Sequence, residues 1–451
     1  MEDAGGSTAR RQPSHSINAS RAPSGGWPPA DEGPVSPTGR LMDGFYIVVS
    51  MGLGVPLNFP VLRAGIETQL ARHPRFRSIQ VTKDGKPPRW VRASALNLDD
   101  HIISPLLDGA AVASNPDKAV EEYVASLSTE PMDRSRPLWE LHFLDFPTSE
   151  GKSTVVIRVH HSLGDGMSLL TLLMGSTRSA ADPSRLPAMP ALPARSGAIY
   201  ARPRPPWSAG ALAFFAWAWS YVVLAWHTVV DVALFVATII FVRDPQTLFK
   251  PADGVGGELP RRKRFVHRSL SLDDVKLLKH AMNCTVNDVI IGVTSAALSR
   301  YYFRKSGDNN TKIICLRSIL LVNMRPTSSL QEYVDMMVSG KSHDVTRRNQ
   351  LGYIILPFQI AVHKDPLEYV RMAKKIVDRK KSSLEVMFTH MLAEVVIKTL
   401  GAKALTVHYQ SYSNVIRVIL AVDEAHFPDH GQLLDDFTES LRIIKDEASR
   451  V

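Results

Sequence analysis

Two histidines stand side by side, His160 and His161, in the stretch "TVVIRVHHSLGDGMSLL" from Thr154 to Leu170. There an apolar run meets Asp165 between two glycines, Gly164 and Gly166, before a second apolar run begins. An imidazole has an ordinary pKa of about 6.5, so near neutrality it is mostly uncharged and can take a proton from a hydroxyl as that oxygen attacks. Alternation along a strand sends Val155, Ile157, Val159 and His161 to one face, and Val156, Arg158 and His160 to the other. Histidines facing opposite ways cannot chelate one ion from a regular strand, and Asp165 alone does not complete a site, so no metal is expected. For an arbitrary His-His pair, two structural histidines satisfied by backbone partners are the plainer reading. It is the whole pattern, His-His-x-x-x-Asp-Gly, that shifts the balance towards chemistry.

A strand, a turn and a helix must present these groups. "TVVIRVHH" reads as the strand, the two glycines as a tight turn, and "MSLLTLLM" as the start of the helix. The surrounding chain alternates in the same way. "FYIVVSM" (Phe45–Met51) and "LWELHFLD" have strand patterns, while "PVLRAGIETQLARHP" puts Leu62, Ile66 and Leu70 on one helical face and stops before Pro74. "FRSIQVTKDGKPPRWVRA" is a hairpin signalled by Asp84-Gly85. In the second half "KIICLRSILLVNM" and "VIRVILAV" read as buried strands. "GQLLDDFTESLRIIKDEA" is a closing helix with Leu433, Phe437, Leu441 and Ile444 on one face. Thr285 and Asp288 have the spacing of a helix-capping box. The fold class expected is α/β.

At 451 residues, 45% hydrophobic and 22% charged, the chain has enough apolar residues for a large core and two or three domains. Its two cysteines, Cys284 and Cys315, come without a Cys/His cluster, which argues against a disulfide framework or a structural zinc and fits a reducing, cytosol-facing setting. A formal charge of +9 favours anionic partners, whether nucleic acid, acidic lipid or a phosphate-bearing substrate. Residues 1–34, rich in Gly, Ser, Pro and Ala, read as a disordered tail.

The segment from Trp207 to Val242 is unusual. Up to Trp226 it carries no charge and has the roughly 20 residues that a bilayer crossing needs. His227 and Asp231 then interrupt it, and basic residues flank both ends: Arg202 and Arg204 before; Arg243, Lys250 and Arg261–Arg264 after. A single crossing and a helix lying in the membrane surface both satisfy this composition.

"HHSLGDG" resembles the HHxxxDG motif of the acyl-CoA-dependent acyltransferase superfamily, in the form found in plant bifunctional wax ester synthase/diacylglycerol acyltransferases. "PVSPTGRLMD", "ARHPRFRSIQV", "DRSRPLWELHFLD", "TVNDVIIGVTSAALSRYY", "VNMRP", "LGYIILPF" and "ALTVHYQSY" resemble that family in the same order, so the likeness runs from Pro34 to the C-terminus. It implies two similar α/β lobes with a tunnel between them: an N-terminal lobe over 35–200, an apolar membrane-associating crossover over 201–264, and a C-terminal lobe over 265–451. It implies His161 as the general base, acting on the hydroxyl of a long-chain alcohol or diacylglycerol, with long-chain acyl-CoA as a substrate and no resident cofactor. Asp165 is implied to shape the loop through an ion pair, with Gly166 giving space beside it and His160 structural. Asn287 and Asp288 are implied to lie near the tunnel, although the capping role suits Asp288 independently. Arg325 reads as a partner for a carboxylate. The implied setting is the endoplasmic reticulum membrane on its cytosolic side, with the plasma membrane as the other possibility, membrane lipid as a partner and no nucleic acid.

Between "LEVMFTHMLAEVVIKTL" and "ALTVHYQSY" the family carries a longer segment, where this chain has only Gly401-Ala402-Lys403. A second reading follows: a non-catalytic remnant that binds acyl-CoA or a lipid surface. If the site lies between lobes, both lobes must also share one side of the bilayer, so a monotopic or re-entrant attachment is expected.

Overall fold

The computed structural model describes residues 33–36, 39–40, 42–83, 85–187, 204–241, 247–249, 262–307, 313–323, 351–392, 405–412 and 414–450. The expected tail up to Glu32, Arg325, the Gly401–Lys403 connection and the flanking residues Arg202, Arg243, Lys250 and Arg261 lie outside them.

The first lobe is built on β1 (Tyr46–Leu53), the hairpin β2 (Ser78–Val81) and β3 (Arg89–Arg92), β4 (Ile102–Ile103), β5 (Trp139–Leu144) and β6 (Ser153–His160). Its main sheet has the order β1-β6-β5-β4, in which β6 pairs antiparallel with both neighbours. Helices α1 (Phe59–Gly65), α2 (Gly109–Ser114), α3 (Pro116–Ser126) and α4 (Gly166–Gly175) complete it. The periodic segment after Pro60 becomes α1 running into a π-helical turn, Ile66–Leu70, with Leu62, Ile66 and Leu70 packed on the lobe's core as their spacing predicts. Gly85 turns the β2–β3 hairpin at φ +69°, a conformation that favours glycine.

After the long helix α5 (Gly210–Ile240), the second lobe comprises β7 (Lys263–Ser271), α6 (Leu272–Ala281), α7 (Val286–Ser306), β8 (Ile314–Asn323), β9 (Leu351–Ile360), α8 (Glu368–Lys381), α9 (Glu385–Met391), β10 (Leu405–Tyr412), β11 (Val415–Asp423) and α10 (His430–Ala448). Strand β11 lies at the centre of the sheet β10-β11-β7, and its Ile416, Val418, Leu420 and Val422 are buried. Leu433, Phe437, Leu441 and Ile444 of α10 face the same core, as their spacing predicts.

The reading of "KIICLRSILLVNM" as a buried strand needs correction. Strand β8 pairs with β9 in a two-stranded ribbon, and Leu320 and Leu321 are 39% and 53% exposed. An apolar run says that a strand can be buried; how many faces are covered depends on neighbours that periodicity does not specify.

Helices α7 and α8 pack closely: a Cβ added to Gly292 would lie 2.8 Å from Val370 Cα. Gly292→Ala is therefore expected to push the two helices apart and cost on the order of 1–3 kcal/mol. Denaturant unfolding in detergent checks this, and an unchanged midpoint would contradict it.

The lobes are joined by charge and by packing. Glu122 on α3 accepts from Arg262 at 2.5 Å and from Arg264 at 2.7 Å, and Lys263 N–H donates to Ser128 Oγ at 2.9 Å. Phe265 of β7 packs on the first lobe's Val124, Leu127, Leu144 and Val156.

Candidate active site

Strand β6 ends at His160, between Tyr46 of β1 and the Leu138 carbonyl, which accepts the His160 N–H at 3.0 Å. The ring of His160 is buried. Its Nδ1 lies 2.7 Å from Ser162 Oγ and accepts the Ser162 N–H at 3.2 Å, while Nε2 lies 3.3 Å from Asp43 Oδ1. Burial pushes its pKa down to about 4, with the neighbouring Asp43 charge pulling the other way. His160 has the surroundings of a structural residue.

The sign of its pH dependence follows. Between about pH 6.5 and 4 the unfolded chain binds a proton on His160 that the folded chain refuses, so stability is full above this window and falls as pH drops through it. The loss should reach on the order of 3 kcal/mol at the acid end. His160→Gln, unfolded by denaturant across that range, should lack this component; an identical pH profile would contradict the assignment.

His161 is the first residue of the turn. Its N–H still donates to Phe45 O at 2.9 Å, extending the β1–β6 ladder by one bond. Its ring is half-buried. Nδ1 is buried without a hydrogen-bond partner, which leaves Nε2 as the open ring nitrogen. Burial lowers the His161 pKa, opposed by its own main-chain carbonyl and by the Asp165 charge. A neutral imidazole with one nitrogen open to a substrate can accept a proton near pH 7.

Asp165 is buried at the N-terminus of α4. It accepts from Ser168 N at 2.9 Å and Ser168 Oγ at 2.8 Å, closing the turn by capping the helix. The expected tight turn is present, with the Leu163 N–H donating to the His160 carbonyl at 3.0 Å. Neither glycine adopts positive φ, and Gly164 is in close contact, since a Cβ there would lie 3.3 Å from Ser168 Cβ. A Cβ on Gly166 would meet nothing within 4 Å, so the space beside the loop at that point is open.

Asn287 and Asp288 sit at the start of α7 in the other lobe. Asp288 is fully buried and forms a reciprocal capping box: its Oδ2 accepts from Thr285 N and Oγ1 at 2.8 Å each, and its own N–H donates back to Thr285 Oγ1 at 3.3 Å. Asn287 is exposed. No hydrogen bond or ion pair among the described residues joins either one to His161. A cavity of about 20 Å³ between α7, α8 and β9, lined by Ser295, Phe358, Tyr369 and Met372 among others, has room for little more than a water and shares no element with His161.

Three residues that brace the histidine loop escaped sequence reasoning. Gln80 donates to Ser162 Oγ at 2.5 Å, Arg75 to the Leu163 carbonyl at 3.3 Å, and Asp43 approaches His160 from the chain before β1. They lie 82 to 117 positions away from the residues they hold, and no local periodicity marks them.

The fold and this site together define a two-lobed α/β protein with a histidine motif at the end of a central strand. Solved structures share the architecture. A wax ester synthase/diacylglycerol acyltransferase from Marinobacter aquaeolei VT8 superposes with a TM-score of 0.55 at 17% identity, over 92% of this chain and all of that one. The first condensation domain of the calcium-dependent antibiotic synthetase, bound to a substrate analogue, does so with a TM-score of 0.55 at 15% identity, over 93% and 96%.

Residues 51–290 match the wax ester synthase/diacylglycerol acyltransferase catalytic domain, and 348–406 and 400–445 match the C-terminal domain of the same family. Wax ester synthase/diacylglycerol acyltransferase 11 of Arabidopsis thaliana is 37% identical over 92% of this chain and 95% of its own length, and number 5 is 36% identical over 92% and 94%. The chain belongs to the wax ester synthase/diacylglycerol acyltransferase family. Its C-terminal domain is matched in two pieces that meet at 400–406, where the short Gly401–Lys403 connection lies. The alignment to relative 11 spans 478 positions, more than the 451 residues of this chain, so the relative carries residues absent here.

Proposed function

We propose that the protein moves a long-chain fatty acyl group from acyl-CoA to the hydroxyl of a fatty alcohol, of diacylglycerol, or of both. His161 Nε2 takes the hydroxyl proton as the oxygen bonds to the thioester carbonyl carbon. The carbon–sulfur bond then breaks, and the departing CoA sulfur takes the proton back from the imidazolium. The reaction balances without an electron carrier or a metal, so acyl-CoA is a substrate and no resident cofactor is invoked. Family membership supports the reaction class. The single observation that carries the choice of base is the contrast between the two histidines: His160 is closed in on both ring nitrogens, whereas His161 keeps Nε2 open.

In this reading His160, Asp165 and Gly166 are positioning residues, Asn287 lies beside the passage to His161, and Asp288 caps the start of α7. Substrates reach His161 through a passage between lobes over 35–200 and 265–451, with 201–264 as the membrane-associating crossover. Lipid substrates place the enzyme at a membrane, for which we propose the cytosolic face of the endoplasmic reticulum, the plasma membrane being the alternative site. The net charge of +9 serves acyl-CoA and acidic lipid in this assignment, with no role for nucleic acid.

A second reading is an acyl-CoA-binding or lipid-surface protein without turnover, favoured by the two-piece match around 400–406. Membranes containing the chain, given labelled long-chain acyl-CoA with a fatty alcohol or diacylglycerol, separate the two. Labelled ester supports transfer and names the acceptor; bound acyl-CoA with no product from a folded chain supports the second reading.

A further inference from the structure

In helix α5 the usual order of a surface helix is reversed. Leu212, Phe215, Trp219, Val222, Trp226 and Val229 follow one another at alternating steps of three and four, and each is more than half exposed. Residues at such steps share one face of a helix. The opposite face carries the polar groups and points inwards. Thr228 Oγ1 accepts the Leu384 N–H at 3.0 Å, Asp231 is held by Arg379 at 2.8 Å and Lys380 at 3.0 Å, and Thr238 Oγ1 accepts from Arg317 at 3.4 Å. Phe235 packs between them on Tyr353 and Ile355 of β9 and Phe388 of α9. Asp231 is the sole charged residue between Pro205 and Val242, and it is buried.

We infer that the outward face of α5 is seated in one leaflet of a lipid bilayer, with the helix lying along the membrane surface and not across it. This rests on the membrane attachment proposed above and adds the face and the orientation. A continuous apolar stripe on a helix about 46 Å long is far more than scattered surface residues, and water is a poor partner for it. A second copy of the chain is a weaker fit. The shoulders of the stripe include the uncharged alanines Ala211, Ala216, Ala218 and Ala225, where a helix pair would place polar or charged residues. At the start of the helix Arg204 stacks over Trp207 at 4.5 Å, a cation beside an indole that suits the headgroup layer. A crossing pose is opposed by the docking of residues 228–238. It would draw Arg317, Arg379, Lys380 and Glu385, with the lobe that carries them, to the depth of the hydrocarbon.

The test uses the full chain and vesicles of phosphatidylcholine with phosphatidylserine, read by flotation without substrates, so it is independent of acyl transfer. Replacing Val222 and Trp226 together by Glu should lower the bound fraction at least about tenfold, since both apolar burials are lost. Both positions face outwards, so the fold is retained. Leu277→Glu, an exposed apolar position on α6, should float like the parent. In sealed microsomes a protease added outside should reach both lobes. Failure of the parent to float would overturn the membrane attachment as well. Equal flotation of parent and double variant would overturn this face alone. Protection of one lobe would show a crossing, and a dimer in detergent that the double variant dissociates would show a second copy on the stripe; either overturns the inference.

Discussion

His161→Ala is expected to lower acyl transfer by at least about 10²-fold, the lower end of what a positioned general base contributes. The folded state should tolerate the change. The His161 ring makes no hydrogen bond through Nδ1, and its N–H keeps the bond to Phe45 whatever the side chain. Loss of rate should therefore come without a shift in unfolding midpoint, whereas a structural histidine would move both. The pH profile adds a second readout. Because burial lowers the His161 pKa, the parent's rate should stay level as pH falls through the ordinary histidine value near 6.5 and decline below it, as the base becomes protonated. A folded His161→Ala protein with retained turnover would refute the assigned base.

Asp231→Ala should have the largest effect on stability. It removes the carboxylate that both Arg379 and Lys380 hold, and leaves Lys380 to Glu385 at 2.6 Å as the remaining close pair. Removing one partner of a buried pair costs about 3–5 kcal/mol; the low end applies here because a third of the Arg379 side chain is exposed, where solvent takes up its charge. Denaturant unfolding of the detergent-solubilised chain measures the loss. Arg379→Ala added to Asp231→Ala should cost little more, since the attraction is already gone. Full additivity of the two changes would mean that they act apart, and an unchanged midpoint would mean that α5 is held by its apolar contacts alone.

The motif, the strand that delivers it and the helix that follows were legible locally. Alternation in "TVVIRVHH" already separates the two histidines onto opposite faces, and the spacing of Leu433, Phe437, Leu441 and Ile444 marks a buried helix face, because both signals have a period shorter than the element itself. The Thr285–Asp288 capping box was legible for the same reason, its partners being three residues apart. Family membership was legible as well, since it rests on the order of many short stretches.

What alternation did not determine is which face receives a structural histidine. That depends on Ser162 and Asp43 closing around His160 and on Gln80 and Arg75 bracing the loop, contacts whose partners come mostly from distant parts of the chain. In the same way, "KIICLRSILLVNM" carries the composition of a buried strand, but the two-stranded ribbon leaves part of it exposed. Asp231 is the clearest case. In the sequence it interrupts an apolar run and blurs the choice between crossing and surface helix. In the structure it is the inward anchor of α5, because Arg379 and Lys380, nearly 150 residues later, arrive on the face opposite the apolar stripe. Local periodicity determines which groups share a face; the tertiary fold alone decides what that face meets, because burial and pairing are properties of the neighbours and not of the segment.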